Sequence, residues 1–425
     1  MKKLVLLVLG GILCLTACNP NPDFPPLPPA STVDCQTYVP FYEKHDSTVS
    51  SLRVTCDCQD STIDLAGKLA PYQQLTQLYF DCDADKFDQL PELPTVTHLI
   101  TEVTTQNITA FRNLEKLENK VYMKEELSPQ ILFLTKLREV VLYNAINVPS
   151  TIRTGSFEHF SMTFEHTAVQ PITLPENLEL FHNLHELDIR NVDLAIFSDF
   201  DQLTSLEHLK ISGSLWVRIP SEPNQWPQLK TLEVSNARLR GDIPDMFRDM
   251  DSLKTVYIGD SPLTTESQQH IFQAPAIEEL TFSFCEMGTI PDEIGDATSL
   301  KQLIITAEPT ALNPLSLPST IANLNQLESI FLSIQTDAFP TALLGLKNSL
   351  QSLAIKDPIG AIPAQIGEFT ALTTLNLQNC SLTFLPAQIQ QLAPTLKKLL
   401  LSGNNFDETA KQQIQTWLPD TEITF

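Results

Sequence analysis

Between Leu184 and Leu401 one spacing governs the chain: apolar residues at offsets 0, 3 and 5 from a start, renewed every 22 to 27 residues. The blocks nearest the C-terminus show it most plainly: Leu350, Leu353 and Ile355; Leu372, Leu375 and Leu377; Leu396, Leu399 and Leu401. Seven earlier starts follow the same rule, at Leu184, Leu206, Leu229, Leu253, Ile277, Leu300 and Leu327. Offsets 3 and 5 lie two residues apart, so on a strand their side chains point to one side. A single short strand cannot bury that side, whereas a stack of them can, each coil completing the core of its neighbour.

A second pattern runs in register with the first. An Ile-Pro or Leu-Pro step follows most starts, then a spaced apolar residue: Ile290-Pro291 with Ile294, Ile362-Pro363 with Ile366, Leu385-Pro386 with Ile389. Together the patterns resemble the leucine-rich-repeat family, whose consensus is L-x-x-L-x-L-x-x-N-x-L, with a Pro-containing half similar to internalin-like and plant-type repeats. The resemblance covers nearly the whole chain and implies an α/β repeat solenoid. Its form is a horseshoe with a parallel β-sheet on the concave face and short helical or extended segments on the convex face.

Earlier repeats are more degenerate. Starts at Val49, Leu75, Val96, Leu114, Leu137 and Phe157 bring the total to about sixteen coils, with Thr101 and Asn119 at the third positions after Val96 and Leu114. At about 4.8 Å per strand, sixteen coils span roughly 75 Å. The family's Asn at offset 8 is kept only at Asn404; Cys285 and Cys380 hold that offset elsewhere, as do Ala237, Ser261, Gln335 and Pro358. An irregular turn ladder is expected. Residues 404–425 read as a C-terminal cap, with a short amphipathic helix over 412–419 and a closing strand at Ile423 to Phe425.

The N-terminus carries an address. Lys2 and Lys3 precede an apolar stretch from Leu4 to Leu15, too short to span a bilayer as a mature helix. It ends in Leu15-Thr16-Ala17-Cys18, which resembles a bacterial lipobox and implies a signal peptide over 1–17 with lipidation at Cys18. Acyl chains on Cys18 would anchor the protein in the cell envelope, and Asn19 points to the outer membrane. Residues 18–33 are Pro-rich and read as an extended tether. Residues 34–74 read as an N-terminal cap with the first repeat, and 75–403 as the repeats.

Four cysteines cluster in the N-terminal part, Cys35, Cys56, Cys58 and Cys82. In an oxidising envelope they are disulfide candidates. Cys56 and Cys82 share offset 7 in adjacent coils, which favours that pair with Cys35–Cys58 among the three possible connectivities. Cys285 and Cys380 lie four coils apart, about 19 Å, and cannot bridge.

No motif of catalysis is present: no Gly-rich phosphate loop, no G-x-S-x-G elbow and no H-E-x-x-H. His182-x-x-His185 lacks a third ligand nearby, so no metal site and no cofactor is implied. The chain is read as a non-enzymatic binding protein. Its formal charge of −24 disfavours nucleic acid and anionic lipid surfaces as partners.

Offsets 2, 4, 6 and 7 are expected on the concave surface. Offset 6 is a row of small residues, Ser212, Ser235, Gly259, Ser283, Thr306 and Ser333. Offset 4 brings together Tyr257, Thr281, Ile304 and Phe331, with Phe284 at offset 7 beside them. Such an apolar and aromatic stripe suits a protein partner. A glycan ligand is the alternative, but none of Trp216, Trp226 and Trp417 falls on this row. A structural envelope spacer is the third reading.

Overall fold

The computed structural model describes residues 50–55, 65–70, 72–81, 87–101, 107–119, 128–143, 160–165, 183–191, 203–213, 226–236, 245–285, 287, 289–307 and 315–425. Cys18, Cys35, Cys56, Cys58, Cys82 and His182 lie outside these residues. The described part holds a sheet of seventeen parallel strands, each bonded to the next along the chain. The first strand is Ser51–Thr55 and the last Glu422–Thr424.

The sheet is built on one column. Offset 3 runs unbroken from Leu52 through Leu78, Leu99, Leu117 and Val140, and onward through Leu209, Leu280 and Leu353 to Ile423, each residue opposite its equivalent in the next strand. Starts and offset-5 residues flank it, and from Leu184 to Leu401 all three columns are buried. Each buried Leu or Ile contributes about 1.5–3 kcal/mol relative to exposure, and each needs the coil above and below to be covered. Thr101 and Asn119 occupy the offset-5 column and are buried and bonded. They are Cα partners of each other, between Phe80 and Leu142, so the starts at Val96 and Leu114 hold.

One start is corrected. Strand pairing puts Met162 opposite Val140 and Leu187, and Phe164 opposite Leu142 and Ile189. The offset-3 and offset-5 positions are therefore Met162 and Phe164, two residues later than the Phe157 start implies. Phe160, Met162 and Phe164 follow one another at a spacing of two, and a slip of two preserves strand parity, so periodicity alone does not tell the two registers apart.

On the side away from the sheet the coils return through short 3₁₀ segments, such as Asp292–Asp296, Ser319–Asn323, Ala364–Glu368 and Ala387–Leu392. Each of these four is capped by a proline, Pro291, Pro318, Pro363 or Pro386. The fixed φ of proline suits the entry to such a turn. Ile294, Ile321, Ile366 and Ile389 then point inward and are buried. The coils pack closely here: a Cβ on Gly367 would lie 2.4 Å from the carbonyl oxygen of Gln388 in the next coil. Among the described residues two coils use α-helix, Leu65–Leu69 and Thr265–Phe272, the latter capped by Thr264.

The closing helix is Glu408–Trp417, starting earlier than 412 because the Asp407 carboxylate accepts from the Ala410 N–H. Ile414 and Leu418 are buried beneath it. Phe425 meets Phe406 edge-on at 6.2 Å.

The turn ladder is irregular. Asn404 accepts from the N–H groups of Cys380 and Leu382 and donates to the carbonyls of Leu377 and Leu401. The Cys285 and Cys380 thiols donate to Ile258 and Ile355 carbonyls at 3.2 Å. In the Leu350 coil the part falls to Asp357, at offset 7, and not to Pro358. Its carboxylate accepts from the Ile334 and Gln335 N–H groups. Proline has no such side chain, and its acidic neighbour turns inward instead.

Candidate binding surface

The outward face of the sheet carries offsets 2, 4 and 6. Register places Tyr257, Thr281, Ile304, Phe331 and Ala354 side by side on five consecutive strands. Tyr257, Thr281, Ile304 and Phe331 are half-buried, and Phe284 is 41% exposed. The small row also lines up, from Ser212 to Ser333.

Phe284 stands out for its backbone. It has φ 51°, in the left-handed region. Other coils fill offset 7 with residues that tolerate this conformation: Asn191, Gly213, Asn236, Asp260, Asn379 and Gly403, all with positive φ. A phenylalanine there is costly, about 1–3 kcal/mol. The sheet register shifts at the same place, Ser283 facing Thr306 and Cys285 facing Ala307, so Phe284 is the extra residue of a β-bulge. Its N–H donates to the Thr306 hydroxyl at 2.9 Å. Thr306 in turn donates to the Ser283 hydroxyl at 3.4 Å, and Ser283 is hydrogen-bonded to the Tyr257 phenol. Burial pushes that phenol above its ordinary pKa, against the effect of the Ser283 bond.

The hydroxyl row is therefore wiring for the aromatic groups. Gly259 has a separate reason to be small: a Cβ there would sit 2.6 Å from the Tyr257 hydroxyl oxygen and 2.8 Å from its ring. Tyr257 lies down along the sheet over this glycine.

The face is bordered at offset 1 by an ion-pair ladder. Glu278 bridges Lys254 at 2.9 Å and Lys301 at 2.6 Å. These bonds hold its carboxyl at about 2. The unfolded value is higher, so the ladder's stabilisation is fully present above the ordinary glutamate pKa and is lost as pH falls toward 2. NMR titration should show Glu278 protonating well below the ordinary glutamate value, and 1 M salt should move it upward, because the pair is solvent-screened. A Glu278 that titrates at the ordinary glutamate value would mean the ladder is absent in solution.

Toward the N-terminus the outer face sets Tyr79, Ile100 and Val141 beside a chain of polar bonds. Ser51 bonds Gln77, Gln77 bonds His98, and His98 bonds Glu118, which also pairs with Lys116. Burial opposes ionisation of Glu118, but the His98 bond and the Lys116 charge outweigh it and hold its carboxyl low.

Neither candidate for chemistry has a reactive setting. The Cys285 and Cys380 thiols are buried and pushed up to about 12. His185 is bonded through Nδ1 to the Asn183 carbonyl, and the described residues hold no cluster of metal-ligating groups. Among the described residues no helix is long and apolar enough to cross a membrane. Among the described residues two exposed aromatics escaped the repeat pattern, Phe133 and Phe384, both outside the sheet. The signal at Phe284 is only partly legible in the chain: six other coils place Asn, Asp or Gly there, but Ile334 is equally bulky at the same offset without a positive φ.

The comparisons agree with this architecture. A family model described as Leucine Rich Repeat matches residues 371–392. A search of curated proteins finds no match. Among solved structures, a leucine-rich-repeat protein of Leptospira interrogans is similar at 23% identity and a TM-score of 0.66, over 89% of this chain and 96% of that one. An internalin of Listeria monocytogenes is similar at 19% identity and a TM-score of 0.51, over 76% and 83%. A plant peptide hormone receptor, solved in complex with RGF2, gives 19% and 0.51, over 80% of this chain and 57% of that one. This is a fold commonly used for protein–protein recognition. The chain has the leucine-rich-repeat fold, and at residues 371–392 it carries the repeat in a form the family model itself matches.

Proposed function

We propose that this is a non-enzymatic, lipid-anchored envelope protein that recognises a protein partner through the outward, concave face of its sheet. The anchor is Cys18 in its lipobox-like setting, and the Pro-rich segment over 18–33 holds the solenoid off an outer-membrane surface. The contact strip is Tyr257, Thr281, Phe284, Ile304 and Phe331. The observation that carries the reading is Phe284, an aromatic side chain kept exposed on a bulge at a backbone conformation that disfavours it. Strain of this kind is retained where exposure of the side chain is useful. A glycan would need free hydroxyls and amides, whereas the Tyr257, Ser283 and Thr306 hydroxyls are engaged with one another and with the backbone.

A photo-crosslinking residue at Thr281 should yield protease-sensitive adducts in cells, and the same residue at Glu186 should not. The triple substitution Tyr257→Ser, Phe284→Ser and Phe331→Ser should weaken capture at least about 100-fold, since anchors of this type are each worth about 2 kcal/mol or more. Adducts removed by glycosidases but not by proteases, or capture untouched by the triple variant, would overturn the reading. Protease shaving of intact cells tests the location separately: digestion places the solenoid outside, and protection until the outer membrane is broken places it in the periplasm.

A further inference from the structure

The charge on the outer face changes along the solenoid. Toward the N-terminus three of its basic groups are paired on the spot: Lys116 by Glu118 and Glu139, Arg190 by Asp188, Lys210 by Glu233. From Tyr257 to Ala354 the central row carries no charge at all. Beyond it come Lys356, Lys397 and Lys398, and among the described residues no ion pair involves any of the three. Lys356 leans over the Phe331 ring, its Nζ 5.7 Å from the centroid, so the cation begins where the apolar strip ends. Glu422 stands opposite Lys398 in the register without pairing to it. The apolar row itself resumes at Leu400, next to Thr424 and one strand beyond Asn376.

In a chain of formal charge −24 this end of the face is an exception. An acidic partner is repelled by most of the molecule and drawn to this part of the outer face, where three lysines among the described residues lack an ion pair. A polyanion the length of a nucleic acid would extend past the lysines into the surrounding negative field. A short acidic segment would not.

The dimensions set the size of the occupant. Seven strands separate Tyr257 from Lys398 inclusively, six spacings of about 4.8 Å, or roughly 29 Å. An extended polypeptide at about 3.3 Å per residue covers that with about nine residues. A folded partner burying about 800 Å² on its side would have to rest largely on the paired charges that flank the strip.

Building on the recognition reading above, we propose that the strip holds an extended polypeptide segment of mixed character. Its apolar side chains lie on Tyr257, Phe284, Ile304 and Phe331, and its carboxylates lie at Lys356, Lys397 and Lys398.

The test uses two biotinylated nine-residue peptides with amidated C-termini, measured against the full chain by biolayer interferometry. One joins an alternating Leu/Phe and Ser/Thr block to Asp-Glu-Asp, and the other ends in Lys-Arg-Lys. The acidic peptide should bind at least about tenfold tighter. That advantage should vanish in Lys356→Glu with Lys398→Glu, and in 500 mM salt, where the Debye length shrinks to roughly 4 Å. Lys356→Gln with Lys398→Gln, which adds no repulsion, should lose most of it as well, and thermal melts should show both variants folded. Equal binding of the two peptides that is still lost in the triple serine variant would sink the charge assignment and leave the apolar surface standing. Binding indifferent to the triple variant, or no binding of either peptide, would remove the extended-segment occupant altogether.

Discussion

Replacing Asn404 by Ala should lower the unfolding free energy by about 2–4 kcal/mol, more than any other single turn substitution in the C-terminal coils. One amide serves four backbone groups. It accepts from the Cys380 and Leu382 N–H groups at 3.0 Å and donates to the Leu377 and Leu401 carbonyls at 2.7 Å. Each bond is worth about 1 kcal/mol net, and a donor left unpaired costs more. Alanine restores none of them. The half-buried position lets water reach some of the orphaned groups, which keeps the loss from reaching the sum of four full desolvation penalties. Urea unfolding gives the total, and hydrogen exchange locates it: amides between Leu377 and Leu401 should lose protection first, with the Leu209 and Leu232 strands unaffected. A loss below about 1 kcal/mol would show that the backbone, and not the side chain, shapes this turn. Cys380→Ala, which removes one weak thiol donor, should cost much less.

Phe282→Ala should be the more damaging core change, at about 3–5 kcal/mol. Phe282 is fully buried at offset 5, its ring 6.1 Å from Phe272 on the helix that closes the preceding coil. Truncation opens a cavity between two coils that meet only each other and their neighbours. Because coupling in a solenoid is between nearest neighbours, the defect should also divide the molecule. Unfolding followed by separate probes on the two sides of the Ile277 coil should give two midpoints where the native chain gives one. Phe384→Ala is the matched control. That ring is 56% exposed, and its loss should stay within about 0.5 kcal/mol. Equal effects at the two positions would contradict the assignment of interior and exterior.

The columns that make the fold were legible because Leu, Ile or Val at offsets 0 and 3 repeats without a gap from Leu184 to Leu401. Near Phe157 legibility failed for a physical reason. Apolar residues stand two apart at Phe160, Met162 and Phe164, and sliding two residues changes nothing that periodicity can detect. Thr101 and Asn119 looked like defects, and only the pairing of neighbouring strands shows them seated in the buried column. Asp357 was hidden by counting, since the turn position fell on Pro358 and the neighbouring carboxylate took over. On the outer face, parity alone lined up Tyr257, Thr281, Ile304 and Phe331. The bond from Phe284 N–H to Thr306 was not readable, because it exists only through the bulge. The basic end was not readable either, because a lysine count does not say which lysines are already paired.

The unbroken parallel sheet has a mechanical consequence. Hydrogen bonds between successive strands run along the long axis of the molecule, so tension applied end to end loads them one row at a time instead of all together in shear. A protein held at one end and pulled by a captured ligand at the other would yield coil by coil. Each coil of 22 to 27 residues releases roughly 75–90 Å of chain at about 3.4 Å per residue. Extension would then proceed at nearly constant low force, and rows that separate would re-form against the intact stack when the load is removed. Such a molecule behaves as a reel that gives way under a tug and rewinds.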